Sequence, residues 1–81
     1  MNEVPIERRM AVRIRYWREQ KGMKNADVAR ALGLSPATVS KWQSEAACPT
    51  QENLDALCQL FGIQIWQFWA GSIDEMGDGA T

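Results

Sequence analysis

The sequence of 81 residues contains no histidine, only two cysteines, three prolines and a single tyrosine. Histidine is the usual general base at neutral pH and the commonest metal ligand. Without it, and with no nucleophile beside a plausible base, no catalytic set can be assembled, so the sequence is not expected to be an enzyme and calls for no cofactor. Cys48 and Cys58 have no second pair of ligands, which argues against a structural zinc site, and they read as reduced, small apolar side chains. No run of about 18 apolar residues occurs, and MNEVPIERRM places acids before any apolar stretch. The sequence therefore predicts neither a membrane partner nor a signal peptide, and a cytoplasmic location is expected. Strand-like alternation and internal repeats are missing too.

What is present is ordinary for a soluble domain: 46% hydrophobic and 23% charged residues. A chain this short buries about 60% of its unfolded surface, enough for one domain and too little for a deep substrate pocket. The net charge of −1 hides an uneven distribution. All nine basic residues lie between positions 8 and 41 with only Glu19 and Asp27 among them, a balance of +7, whereas the rest of the chain carries eight acids. Such a split predicts one face able to meet an anion.

The apolar spacing predicts an all-α fold of five helices. Ile6, Met10, Ile14 and Trp17 form one stripe over residues 6–21, closed by Gly22. A short second helix, 25–32, turns Val28, Ala29 and Leu32 inward and ends at Gly33. Ser35 can cap a third helix with Pro36 at its first position, running to about Gln43 and burying Val39 and Trp42. Thr50 can cap a fourth helix carrying Leu54, Leu57, Cys58, Leu60 and Phe61, closed by Gly62. A fifth, about 64–70, carries Ile65, Trp66, Phe68 and Trp69. Residues 1–71 are thus expected to form the domain, and the acidic, glycine-rich segment 72–81 a flexible tail.

Residues 25–44, NADVARALGLSPATVSKWQS, have the spacing that two short, steeply crossing helices require. Ala29 is small where the helices approach, Gly33 occupies the turn, and Val39 and Trp42 close the core between them. Pro36, Ala37, Thr38, Ser40, Lys41 and Ser44 are left on the outward face of the third helix, short or cationic and free of acids. Together with IRYWREQKGM, CPTQENLDAL and LFGI, in that order and spacing, this stretch resembles the phage repressor and Cro type of helix-turn-helix, the lambda-repressor-like or Xre family. The resemblance runs from about Met10 to Gly71. It implies a compact five-helix DNA-binding domain with the helix-turn-helix at helices two and three, a double-stranded operator as partner, a homodimer, and usually repression in a bacterial or phage-infected cell.

Carried onto this sequence, the family's base-reading positions fall on Pro36, Ala37, Thr38 and Lys41, with Ser40 close by. Asn25 matches a phosphate-binding position at the start of the second helix. Two departures stand out. Arg18 matches an arginine that commonly pairs with glutamate at the end of the recognition helix, but that position is Gln43, whose amide can still accept from guanidinium. The loop that often supplies glycine and basic residues is Glu45, Ala46, Ala47 and Cys48. Phosphate affinity is then expected to rest on Lys24, Asn25, Ser44 and first-helix arginines such as Arg13 and Arg15. Trp66, hard to bury in so small a domain, predicts a dimer contact with Phe61 and Ile63. The acidic loop and tail leave open a second reading, a helix-turn-helix module whose partner is a protein, as an antitoxin or inhibitor subunit would be.

Overall fold

In a computed structural model, residues 4–70 are described. They form five helices and, among these residues, no strand: α1 (Ile6–Gln20), α2 (Asn25–Leu32), α3 (Pro36–Gln43), α4 (Gln51–Phe61) and α5 (Ile65–Trp69). The proposed tail, 72–81, lies outside the described residues.

The starts of α3 and α4 are set by hydroxyls. Ser35 Oγ accepts from the Thr38 N–H at 3.3 Å and Thr50 Oγ1 from the Asn53 N–H at 3.1 Å, each satisfying a donor the helix cannot pair itself. Asp27 does the same for α2 from inside the first turn, its carboxylate accepting the Lys24 N–H at 2.9 Å. That bond, with the Arg30 guanidinium 3.2 Å away, holds the Asp27 carboxyl below the usual carboxylate range. The resulting support for α2 is present above the unfolded-state pKa and is lost as pH falls through the lower folded value. Asp27→Asn should accordingly flatten the acid limb of a stability profile followed by circular dichroism.

Four helices end alike. The N–H two residues past the last turn reaches back to a carbonyl five residues earlier: Met23 to Arg18, Leu34 to Ala29, Ala46 to Lys41 and Ile63 to Cys58, at 2.9–3.0 Å. This ending requires a left-handed residue just before the donor. Three of the four are glycines, with φ between 66° and 72°, and the fourth is Glu45 at φ 69°. A β-carbon costs about 1–2 kcal/mol in that conformation. The Arg8–Glu45 contact at 3.6 Å, between side chains about 40% exposed, offsets little of it. Glu45→Gly should therefore raise stability by about 1 kcal/mol, read as a higher urea midpoint with unchanged slope.

One core joins all five helices: Met10 and Ile14 from α1, Val28 and Ala29 from α2, Val39 and Trp42 from α3, Leu54, Leu57, Cys58 and Phe61 from α4, and Phe68 from α5. Burial pushes the Cys58 thiol above its ordinary pKa, which keeps it protonated at neutral pH. Two expectations fail. Ile6 has the spacing of the α1 stripe but is 46% exposed. Phe61, expected at a dimer surface, is wholly buried in the core and has no surface to offer.

Candidate nucleic-acid interface

The helix-turn-helix geometry rests on α2 packing against α3. Ala29 and Val39 are fully buried where the helices meet, and Trp42 seals the far end. Gly33, at φ 72°, turns the chain between them, and the Leu34 N–H then closes on the Ala29 carbonyl at 2.9 Å. With Val39 and Trp42 turned inward, the opposite side of α3 faces solvent: Pro36, Ala37, Ser40, Lys41 and Ser44 are exposed. Thr38 is half-buried, its hydroxyl sharing a hydrogen bond with Ser35 Oγ at 3.1 Å, so it offers its methyl more readily than its oxygen. Ser44 caps the helix and donates to the Lys41 carbonyl.

The residues expected to meet phosphate divide into two groups. Lys24 is exposed at the start of α2, and Arg15 is exposed on α1. Asn25, first residue of α2, is half-buried with its Oδ1 lacking a hydrogen-bond partner, and its N–H belongs to the first turn, whose donors have no acceptor within the helix. Arg13 does not belong to this set. It is 2% exposed, and its Nη1 donates to the carbonyls of Phe68 at 2.7 Å and Ala70 at 3.1 Å. Its guanidinium also lies 5.4 Å from the Trp69 ring. A charge so engaged closes the end of α5 onto α1 and cannot reach a phosphate.

The expected bond between Arg18 and Gln43 is also replaced. Gln43 Nε2 donates to the Ala11 carbonyl at 3.1 Å, using the donor that a glutamate lacks. Arg18 Nη1 instead takes the Met23 carbonyl at 2.8 Å, which ties α1 to the loop before α2, while its Nε and the Trp17 Nε1 are buried without partners. The +7 balance of the sequence thus overstates the cation available to DNA, since Arg13 is internal, Arg18 is largely covered and Arg30 faces Asp27. The sequence reading missed Arg9, whose guanidinium stacks on Trp69 at 5.7 Å, and the left-handed backbone of Glu45, a residue it marks only as a departure in the loop after α3. The pattern Arg9, Arg13, four residues apart on one helix face, was the signal for the first.

An all-helical domain that buries one side of a short third helix and offers the other, free of acids, is built as a DNA reader. A family model described as helix-turn-helix matches residues 14–65, well over half the chain. The chain belongs to this family, the Xre or lambda-repressor-like helix-turn-helix proteins, and is a DNA-binding regulator. No curated protein and no solved structure matches it. Among the described residues, no helix is long and apolar enough to cross a membrane.

Proposed function

We infer that the chain is a sequence-specific repressor that binds its operator as a homodimer, each copy laying α3 in the major groove of one half-site. The observation that carries this reading is the exposed, acid-free face of α3 with Lys41 at its centre. Lys41 can donate to the N7 and O6 of guanine, while Ala37 and the Thr38 methyl can pack on a thymine methyl. Pro36 has no donor, so it reads shape or apolar surface only. Half-sites would lie about one helical turn, roughly 34 Å, apart. Lys24, the first-turn N–H of Asn25, Ser44 and Arg15 supply phosphate contacts. Each neutralised phosphate adds about 0.9 to the salt slope, so this short list predicts a modest one. Anisotropy titration against DNA upstream of the protein's own gene, at two salt concentrations, tests the reading. Binding that does not distinguish this DNA from an unrelated duplex would refute it.

The dimer contact rests on α5. Trp66 is 67% exposed and Ile65 42%, on the shortest helix of the fold, with Ile63 half-buried beside them. Ile63 and Ile65 line a shallow groove with Asp55, Cys58, Gln59 and Gln64, next to the exposed indole. An aromatic of this size left in water is a typical interface anchor, and a self-complementary patch gives the two-fold symmetry that an operator palindrome needs. Trp66→Ala should shift sedimentation at micromolar concentration from dimer to monomer while leaving the helical signal intact. An unchanged dimer places the contact elsewhere. The same patch suits a different protein partner, and a wild-type chain that sediments as a monomer would favour that second reading.

A further inference from the structure

Helix α3 is held differently along its length. At its start, the turn through Gly33 and the hydrogen bond from Leu34 to Ala29 tie it to α2. Further on, Val39 and Trp42 pack into the core. Such apolar contacts fix how close a helix lies but carry no direction, so they leave α3 free to rock about Val39. Direction comes from a hydrogen bond at the far end. Gln43, the last residue of α3, donates from Nε2 to the Ala11 carbonyl of α1 at 3.1 Å, in a part-buried position.

This bond is not what satisfies its acceptor. Ala11 lies inside α1, where the helix ladder already engages the carbonyl, so Gln43 takes the second lone pair. Its loss orphans no buried carbonyl and costs the fold little. Its place matters more, for Gln43 follows Lys41 by two residues on the same short helix. We propose that Gln43 is a positioning residue for base reading, fixing the pitch at which α3 presents Lys41. The proposal rests on the reading of α3 as the helix that enters the groove. A tilt of about 10–20° carries the ammonium at the tip of the Lys41 stem by about 1–2 Å, beyond the ~0.5 Å within which a recognition site must be held. Sequence-independent attraction to phosphate tolerates the same motion.

Gln43→Met tests it on the full chain, keeping the length of the side chain and removing the donor. Operator affinity should fall about 5- to 30-fold while affinity for an unrelated duplex stays within about twofold, with the salt slope unchanged and the urea midpoint only slightly lowered. Leu60→Ala provides the contrast, since it truncates a partly buried side chain packed against the core from α4. It should lower the midpoint further and keep the operator preference. In the free protein, amide relaxation dispersion on the microsecond-to-millisecond scale should appear at residues 40–43 of Gln43→Met and not in α2. An operator preference retained in Gln43→Met overturns the proposal, as does equal weakening on both duplexes. So does an equal loss of preference in Leu60→Ala, which would make the effect one of stability. A wild-type chain without operator preference brings down the DNA reading, and the positioning role with it. A wild type that discriminates, matched by Gln43→Met, brings down the positioning role alone.

Discussion

Arg13→Met should destabilise the fold by about 3–5 kcal/mol, a large share of the ~5–10 kcal/mol that holds a chain of this size together. Methionine matches the length of the arginine stem, so little of the loss comes from packing. It comes from the carbonyls of Phe68 and Ala70, which lose the donor that reaches them at 2.7 and 3.1 Å, and from the cation over Trp69. A buried carbonyl left without its charged donor bears its full desolvation penalty. Arg13→Lys should fall between wild type and methionine: it keeps the charge but not the fork that spans two acceptors. Urea denaturation measures the loss directly. DNA titration provides the contrast, since a surface phosphate contact would instead lower the salt slope by about one and leave the urea midpoint unmoved. A wild-type midpoint in Arg13→Met would return this residue to the DNA-binding surface.

Arg13 also marks where sequence reading stopped. Helix boundaries were legible because their causes are local: a serine hydroxyl that caps a backbone N–H three residues on, a proline whose missing N–H costs nothing at the first position, a glycine at positive φ. The face of α3 followed from those boundaries, since Val39 and Trp42 turned inward leave Lys41 outside. Arg13 reads as a phosphate contact because arginine on an amphipathic helix usually faces outward, whereas its acceptors lie 55 and 57 residues away in sequence. The same distance hid the burial of Val12 and the exposure of Ile6, for periodicity defines a face but not how far neighbouring helices cover it. Phe61 shows a related limit: proximity to Trp66 in sequence suggested a shared surface, while the turn at Gly62 sends the two rings to opposite environments. The left-handed backbone of Glu45 was invisible for another reason. The rule that reserves left-handed helix ends for glycine has no way to foresee an acid held there by the fold.

Lys41→Ala should weaken operator binding by about 1–3 kcal/mol, roughly fivefold to more than a hundredfold, with no change in the urea midpoint. The side chain is exposed on α3, and it is the backbone carbonyl that ties the end of the helix, accepting from Ala46, Ala47 and Ser44. Truncation therefore leaves the hydrogen bonds of the fold in place, so that a loss of affinity reports on the contact proposed for Lys41 with DNA. Operator and unrelated DNA must be titrated side by side, because two roles for the ammonium predict different patterns. A lysine that donates to guanine loses affinity for the operator alone and relaxes specificity at one base pair. A lysine on phosphate weakens both duplexes equally and lowers the salt slope by about one. The first pattern is expected, for the neighbours of Lys41 on the same face are Ala37, Thr38 and Ser44, short enough to let the helix approach the base edges that a four-carbon stem can reach. Restoring charge with arginine discriminates further: a fork suited to guanine should keep or increase operator preference, whereas a phosphate role would leave the ratio of the two affinities unchanged.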